Sequence, residues 1–469
     1  GPNREIPVII RFVDELIPNE PDANNCYRQK QLTGRHQAGE ASDLQYTVSG
    51  PKKGKNPSRM KLVRSLRQKS KMMKAQVDGL LLDTGKTNIR HLWAINAVAL
   101  RANKQLIDVL ANHSTVKRVD PDCLLRMPAA VMPSQATGQW NLEMAGAFDL
   151  WKLGHKGKGI VLALLDSGVD ADHPDLADKW RGGSNSWYDP HGVYDLPHDA
   201  SGHGTQVAGI MVGGDAGGEP IGMAPDAQWI AVKIYDDDGY TNYSTIHLAF
   251  QWLLDPDGNP VTDDAPDVVN NSWGLTEALD VCVDEFKEDI RLLTEAGIVI
   301  VCAAGNTGPG DATSISPSNY PNSIAVGAID ANRQVMEFSG RGPSACEDTV
   351  YPGFVAPGEL VWTADLSLGG IWDPYTTVSG TSFAAAHVSG ALALLMSAVP
   401  DKAVIDLRQA LEETATDLGA SGPDNQYGYG MINLPAALEL LAGTRSDSGD
   451  DSGCFIKTIN LWHGESRYR

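Results

Sequence analysis

Three short segments of the chain carry an aspartate, a histidine and a serine in settings that suit nucleophilic catalysis. They are LALLDSGVD around Asp166, SGHGTQVAG around His203 and SGTSFAAAHVSG around Ser382. A serine hydroxyl becomes a good nucleophile when a base removes its proton, and that base needs an acid to hold its tautomer. The three residues therefore predict acyl-transfer chemistry, with Ser382 as nucleophile, His203 as general base and Asp166 as the partner of the histidine.

The sequence around each residue predicts the element that positions it. Asp166 ends the apolar run 160–165, which predicts the C-terminal edge of a buried parallel strand. His203 and Ser382 come just after glycines and open runs of small and apolar residues, a pattern typical of a loop-to-helix junction. The chain order Asp, His, Ser is one of three known orders of this triad.

Five further blocks connect the chain to a known family. Together with the three triad segments, and in this order, they resemble the subtilisin family of serine proteases over roughly residues 140–441. The resemblance implies hydrolysis of peptide bonds through an acyl-enzyme, with protein or peptide substrates and no cofactor for the chemistry. The blocks are AVKIYDDDGYTNYS (231–244), APDVVNNSWG (265–274), VIVCAAGNTG (299–308), NYPNSIAVGAID (319–330) and FVAPG (354–358).

The alternation of apolar runs with helical patterns from Trp140 onward independently predicts an α/β fold. Strands that alternate with helices form a parallel sheet covered by helices on both faces, with the chemistry at the C-terminal ends of the strands. We expect a three-layer, subtilisin-like architecture. The predicted strands are 160–165, 228–235, 267–271, 297–303, 323–329 and 353–356, and the predicted helices are 203–213, 242–254, 284–296, 381–398, 402–414 and 433–441.

The resemblance also implies which residues stabilise the oxyanion and bind substrate. Asn306 supplies a side-chain amide to the oxyanion hole, although an asparagine before Thr-Gly is also a common turn residue. An extended peptide adds as a strand between two exposed segments, which gives affinity with little sequence information. The implied substrate-contacting residues are Gly239, Tyr243, Ser272, Trp273, Gly274, Ala303, Ala304 and Gly305.

Two pockets for substrate side chains follow from the same resemblance. The segment 303–305 forms one wall of the P1 pocket, which holds the side chain before the cleaved bond. Tyr243, Ile246 and Trp273 line the P4 pocket, unless these side chains simply belong to the core. Ile315 falls near the floor of the P1 pocket, where a branched side chain shortens it.

Composition limits the class of protein. The 469 residues contain no apolar run of about 18, so we expect no membrane span. Six scattered cysteines without Cys-x-x-Cys spacing argue against a metal cluster and against a dense disulfide framework. Cys302 lies in an apolar run and is expected to be a buried free thiol. Gly1 in place of an initiator methionine indicates a trimmed precursor or a tag remnant, and the resemblance implies secretion.

Charge divides the chain in two. Residues 1–130 carry 22 Lys and Arg against 12 Asp and Glu, a net charge of +10, whereas residues 131–469 carry 16 against 47, a net charge of −31. The basic run 52–74 has no interleaved aromatic residues and no nucleic-acid-binding module, so we expect no nucleic-acid partner. The simpler interpretation is that the basic part docks on the acidic part of the same molecule.

The pattern of elements predicts three regions. Residues 1–132 form a small α+β domain with a strand at 6–12, a basic helix at 58–83, and then a strand (91–102), a helix (103–114) and a strand (116–127). By resemblance this domain is a propeptide that inhibits its own enzyme, although a small α+β domain could serve other purposes. Residues 133–441 form the peptidase domain, and residues 442–469 form a flexible acidic linker and a short tail. Self-cleavage is expected within 127–139.

Acidic residues raise the possibility of a structural calcium ion. By resemblance Asp175 is a weak candidate ligand, but Ala216 stands where a second side-chain ligand is expected. The acidic runs 236–238 and 263–264 are ordinarily solvated loop charges. Calcium is therefore a possible structural addition only.

Two other classes of protein compete with a self-inhibited, secreted endopeptidase. A catalytically silent relative that keeps the fold usually loses a residue of the triad, and this chain keeps all of them and Asn306. A general serine esterase is expected to have a Gly-x-Ser-x-Gly elbow with the serine first in the chain, and Ser382 has neither feature.

Overall fold

The computed structural model describes the N-terminal strand, a long helix and most of the remaining chain. Residues 14–56, between the predicted strand at 6–12 and the predicted helix at 58–83, and the tail from 444 onward lie outside the described residues. Most of the predicted cleavage segment 127–139 lies outside them too. The described residues are 4–13, 57–82, 88–128, 139–367, 370 and 374–443.

The first part of the described chain contains a four-stranded antiparallel sheet. The strand order is β2-β3-β1-β4, and every neighbouring pair is antiparallel. Asn103 caps the second helix, because its side chain accepts the N–H of Leu106 at 2.9 Å. The elements are β1 (Ile6–Phe12), α1 (Pro57–Leu82), β2 (Arg90–Leu92), β3 (Ala97–Ala102), α2 (Lys104–Ala111), β4 (Val116–Pro121) and β5 (Leu124–Arg126).

Two strands predicted here are interrupted. The strand predicted over 91–102 is a hairpin, because the chain turns before Asn96, which has a left-handed φ of 52°. The strand predicted over 116–127 breaks after Pro121. The carboxylate of Asp122 accepts both the N–H and the hydroxyl of Ser244, each at 2.8 Å, and so draws the chain toward the other part of the molecule.

The second part is built on a seven-stranded parallel sheet with the order β13-β12-β11-β10-β6-β8-β7. Three of its inner strands, at 161–166, 299–303 and 324–329, consist almost entirely of apolar residues, as expected of strands buried on both faces. The predicted α/β fold is confirmed. The strands of this part are β6 (Val161–Asp166), β7 (Trp187–Tyr188), β8 (Gln228–Lys233), β9 (Tyr240–Asn242), β10 (Val268–Asn271), β11 (Val299–Ala303), β12 (Ile324–Ile329), β13 (Phe354–Pro357), β14 (Val361–Ala364) and β15 (Tyr375–Val378).

Helices cover this sheet close to their predicted positions. The helix predicted over 284–296 begins as a 3-10 turn at Asp284–Phe286, and the last helix runs on to Gly443, past the predicted start of the linker at 442. The helices are α3 (Trp140–Met144), α4 (Ala147–Lys152), α5 (His203–Val212), α6 (Tyr243–Leu254), α7 (Lys287–Glu295), α8 (Thr381–Ala398), α9 (Val404–Thr414) and α10 (Leu434–Gly443).

Helix α8 runs through the core. Its residues from Thr381 to Met396 are all buried, and a helix that is apolar on all sides is expected in such a position. Within the described residues it is the one helix long and apolar enough to cross a membrane, and 89% of that window is buried inside the protein. It therefore serves as a core helix that carries Ser382 at its start.

The two parts of the chain are joined by apolar packing and by ion pairs. Ile9 and Val63 from the first part share one hydrophobic cluster with Phe250 of α6 and Phe286. The arginines of the first part meet carboxylates of the second, as the division of charge predicted. These pairs include Arg67 with Asp255 at 2.6 Å, Arg11 with Glu285 at 2.5 Å, and Arg59 with Asp263.

Candidate active site

Three neighbouring strands of the large sheet end at the same edge, and candidate catalytic residues lie at or just after the ends of these strands. Asp166 is the last residue of β6, Ser272 follows β10, and Asn306 lies three residues beyond β11. His203 and Ser382 occupy the first turns of α5 and α8. This edge is where α/β sheets place their chemistry, so the five residues converge there from distant parts of the sequence.

His203 is oriented by Asp166. The Nδ1 of His203 lies 2.7 Å from Oδ1 of Asp166, and both side chains are buried. The same Oδ1 also accepts the N–H of Ser167 at 2.7 Å, which fixes the carboxylate. Since Nδ1 is engaged, Nε2 of His203 is the atom left to accept a proton.

The pKa of His203 reflects two opposed effects. Burial lowers the pKa, because it disfavours the imidazolium, but the Coulomb attraction and the hydrogen bond of Asp166 outweigh burial. The pKa of His203 is therefore raised above the ordinary histidine value.

Ser382 begins the core helix with its hydroxyl at the strand ends. Its Oγ donates to the carbonyl of Ser272 at 3.3 Å, and the hydroxyl of Ser272 donates to the carbonyl of Ser382 at 3.0 Å. In this state the Ser382 hydroxyl therefore bonds to Ser272 and not to His203. Catalytic hydrogen bonds often form only when substrate is bound, so a rotation about χ1 has to bring Oγ to His203.

Asn306 is held in one orientation by Thr381. The Oδ1 of Asn306 accepts the N–H of Thr381 at 3.0 Å and its hydroxyl at 2.9 Å. The Thr381 hydroxyl oxygen in turn accepts the N–H of Gly305 at 3.1 Å. Because both bonds use Oδ1, the Nδ2 group is the end that can donate to an oxyanion beside Ser382.

The predicted substrate segment at Gly239 is paired with a strand of the chain itself. β5 lies antiparallel to β9, with Leu125 opposite Thr241, and the N–H of Met127 donates to the carbonyl of Gly239 at 2.9 Å. The sulfur of Met127 accepts the hydroxyl of Ser201, two residues before His203, at 3.6 Å. A peptide strand therefore already lies along this segment and approaches the catalytic histidine.

The residues predicted for the P4 pocket form a largely buried aromatic group. Tyr243 and Trp273 pack edge-on against Phe286, with ring centroids 5.3 and 5.6 Å away. Ile246 and Trp273 are buried in the cluster against which Leu125 packs. Trp273 is thus a core residue, and Leu125 of β5 packs against the cluster to which Trp273 belongs.

Ile315 lies between the two segments predicted to form the P1 pocket. A Cβ added to Gly274 would lie 2.4 Å from Cδ1 of Ile315, and a Cβ added to Gly305 would lie 2.7 Å from the same atom. Ile315 itself is buried. Its side chain therefore fills the space between Gly274 and Gly305, and a larger residue at either position would require Ile315 to move.

Asp175, the weak calcium candidate, has protein donors on both carboxylate oxygens. Oδ1 accepts the N–H of Ala216 at 2.6 Å and Oδ2 accepts the hydroxyl of Tyr375 at 2.7 Å. Both oxygens of Asp175 are therefore already hydrogen-bonded within the protein, and we assign no step to a metal ion. Elsewhere in the described ranges three carboxylates lie within 4.8 Å of one another (Asp255, Asp257 and Asp264), and Arg67 already pairs with Asp255.

The cysteines follow the prediction in part. Cys302 is a buried free thiol, as predicted, and burial raises its pKa to about 12, so the reactive thiolate is not formed at neutral pH. Cys282 and Cys346 form a disulfide, which their spacing did not indicate. Cys26 and Cys454 lie outside the described residues.

Sequence reasoning missed the residues that hold the catalytic groups in place. Thr381 orients Asn306, Ser167 contacts Asp166, and Asp122 caps α6 from the other part of the chain. The position of Thr381 inside Gly-Thr-Ser, directly before Ser382, could have identified it as a residue of the site. The role of Asp122 depends on a contact between residues 122 positions apart, for which a single sequence offers no signal.

Comparisons with known proteins agree with this arrangement. The model of the subtilase family matches residues 157–430. Bacillopeptidase F of Bacillus subtilis (strain 168) is 34% identical over 405 residues, which cover 77% of this chain and 28% of that protein. Subtilisin E of the same organism is 31% identical over 398 residues, which cover 84% of this chain and 94% of that protein. The major intracellular serine protease of that organism is 34% identical over 259 residues, which cover 55% and 74% of the two chains.

The sheet and the residues at its edge define an α/β serine hydrolase. The chain belongs to the subtilase family, and it is a subtilisin-like serine endopeptidase. The matched region covers 28% of the length of bacillopeptidase F and 94% of the length of subtilisin E.

Proposed function

We propose that the protein is a secreted endopeptidase, made as a self-inhibited precursor, that uses Ser382, His203 and Asp166 as its triad. The observation that carries the triad is the 2.7 Å bond between His203 and Asp166 at the strand edge where α8 presents Ser382. Protein or peptide chains are its substrates.

The chemistry proceeds in two acyl-transfer steps. His203 accepts the proton of Ser382 at Nε2 while Oγ attacks the substrate carbonyl, and Asp166 stabilises the imidazolium that forms. Asn306 and the N–H of Ser382 at the start of α8 donate to the oxyanion. His203 then gives its proton to the leaving amine, and water releases the acyl group by the same route. Loss of an oxyanion-hole side chain costs about 10²–10³ in kcat, the value measured in a subtilisin.

The self-inhibition is supported by β5. It adds to β9 as a substrate strand would, with Leu125 against the cluster proposed as the P4 pocket and Met127 beside the His203 loop. The ion pairs of Arg11 and Arg67 hold the domain that carries this strand. The N-terminal residues up to about 130 therefore block the groove until the chain is cut.

Secretion is supported by the disulfide between Cys282 and Cys346. Disulfides persist in oxidising compartments and are rare in the reducing cytosol. A protein with such a bond in its peptidase domain is suited to the extracellular medium.

Ile315 supports a preference for small P1 side chains. We expect Ile315→Ala to raise kcat/KM for a P1-phenylalanine peptide about 10- to 100-fold, because removing Cγ1 and Cδ1 opens the space between Gly274 and Gly305. Hydrolysis of paired peptides that differ at P1 alone measures this. The P1-alanine peptide is the control and should change little. Equal activity of the unaltered protein on both peptides would show that Ile315 does not limit the pocket.

The zymogen proposal is tested by the fate of the full-length chain. The protein should yield a fragment with a new N-terminus inside 127–139, because its own Ser382 cuts the strand that lies in the groove. Intact mass and N-terminal sequencing identify the cut, and full-length Ser382→Ala is the matched control, which should stay intact. Similar cleavage of both proteins would assign the cut to another protease and remove the support for self-processing.

A further inference from the structure

Lys233 is a buried cation directly behind the catalytic edge. It is the last residue of β8, where it pairs in register with Asp166 of β6, and its side chain is 2% exposed. Its Nζ donates to the carbonyl of Ser167 at 2.8 Å and pairs with Oδ1 of Asp237 at 3.1 Å. Lysine is almost never fully buried without such partners.

Ser167 links this ammonium group to both members of the acid–base pair. Its N–H donates to Oδ1 of Asp166 at 2.7 Å, the oxygen that also bonds His203. Its hydroxyl oxygen accepts the N–H of Gly204 at 2.9 Å, and Gly204 is the residue after His203. One residue therefore contacts Lys233 through its carbonyl, Asp166 through its amide and the first turn of α5 through its hydroxyl.

A buried ammonium group is not needed for stability alone. Taking the charge out of water costs several kcal/mol, and apolar residues of similar size are often as stable. Lys233 adds a directed hydrogen bond that fixes the Ser167 carbonyl. Fixing this carbonyl also fixes the orientation of the Ser167 N–H, which contacts Asp166, and of the Ser167 hydroxyl, which contacts Gly204. A displacement of a catalytic group by 1 Å can lower the reaction rate about 10²-fold.

We propose that Lys233 is a positioning residue that holds the Asp166–His203 pair in its reactive geometry through Ser167. The proposal rests on the triad assignment made above. It also separates two bonds of one side chain: the bond to Ser167 serves the chemical step, and the pair with Asp237 tethers the turn that leads into the substrate segment at Gly239.

The charged and titratable groups around Lys233 define the controls. Asp237 pairs with it and accepts the hydroxyl of Tyr194 at 2.6 Å, and the Tyr194 ring lies 5.9 Å from Nζ. His198 stacks on Tyr194 at 3.9 Å. Tyr235, which is buried near Asp166, has a pKa raised well above its ordinary value by burial and by that carboxylate, and stays neutral.

The test compares Lys233→Met with Asp237→Asn in the full chain. We expect Lys233→Met to lower kcat about 10- to 100-fold with KM within about twofold, because the substrate segments remain while the catalytic pair loses its support. Asp237→Asn, the matched control, should keep kcat and affect KM alone. Fluorophosphonate labelling at completion counts folded sites, so that kcat is expressed per site.

A second substitution at Lys233 and a proton resonance of the catalytic pair test the same proposal independently. Lys233→Gln has a side chain one bond too short to reach Ser167, and it repeats the test should the methionine variant not fold. The far-downfield proton resonance of the His203–Asp166 bond should broaden or shift in both Lys233 variants and persist in Asp237→Asn.

The outcomes distinguish this inference from the triad assignment. Unchanged kcat in a folded Lys233 variant, or the same loss in Asp237→Asn, overturns the positioning role. If Ser382→Ala retains activity, the triad assignment fails as well. If Ser382→Ala is inactive and Lys233→Met matches the unaltered protein, the positioning role alone fails.

Discussion

Alanine in place of Ser382 is expected to lower kcat about 10⁶-fold, the size measured when the serine of a subtilisin is removed. The substitution deletes the nucleophile and leaves the backbone of α8 and the pair of His203 and Asp166 unchanged. The remaining rate should reflect binding and the oxyanion donors alone. Hydrolysis of a chromogenic peptide and labelling by a fluorophosphonate probe measure the loss.

Ser389 provides the matched control for this change. It lies on the same helix, is also buried, and donates to Oδ1 of Asn270 at 2.9 Å, so that it is connected to Ser382 only through Asn270 and Ser272. Ser389→Ala should cost about 1 kcal/mol of stability and keep the probe reactivity. Turnover of Ser382→Ala near that of the unaltered protein would remove Ser382 as the nucleophile.

Asparagine in place of Asp166 is expected to lower kcat about 10⁴-fold, as measured for the same change in another triad protease. The amide keeps the shape of the carboxylate, but it can hold the wrong tautomer of His203 and cannot stabilise the imidazolium. Asp178→Asn, on an exposed side chain, is the control and should have no effect.

The pH dependence of the same variant has a definite sign. The neutral form of His203 is the base, so kcat/KM should rise with pH through the pKa of His203, which lies above about 6.5 in the unaltered protein. Burial lowers that pKa and Asp166 raises it, so removing the charge of Asp166 leaves burial opposed only by the smaller Coulomb effect of Asp199. The midpoint should move to lower pH in Asp166→Asn. A midpoint that stays in place would mean that another group controls the acid limb.

Much of the fold could be predicted because local patterns and final structure agree. The run that ends at Asp166 is apolar on both faces, as expected of a strand buried on both faces, and it forms β6. The run at 299–303 has the same pattern and forms β11. The small and apolar residues after Gly380 predicted the core helix with Ser382 in its first turn. Strand ends at one edge then follow from parallel topology, and this is the edge at which the structure places Asp166 and Asn306.

The rest depends on contacts between residues distant in the sequence. Asp122 interrupts a predicted strand because its carboxylate caps α6, and Asn96 interrupts another through a left-handed turn. In the sequence, Lys233 is simply one residue of a predicted strand. Its position beside Asp166 follows from the register of β8 on β6, which the sequence does not give. The packing of Ile315 against Gly274 and Gly305 joins three separate segments of the chain, and a single sequence does not show such a contact.

The disulfide also affects the stability of the stretch of chain that carries Asn306. Cys282 and Cys346 are separated by 64 positions, and the stretch between them carries β11, Asn306 and Ile315. In the chain-entropy model, closing a loop of this size removes about 4 kcal/mol of conformational freedom from the unfolded chain. Reduction of the disulfide gives this conformational freedom back to the unfolded chain, and so lowers the free energy of unfolding by a similar amount. The stretch that carries the oxyanion donor therefore opens more readily under reducing conditions, and thiols weaken the enzyme without touching its triad.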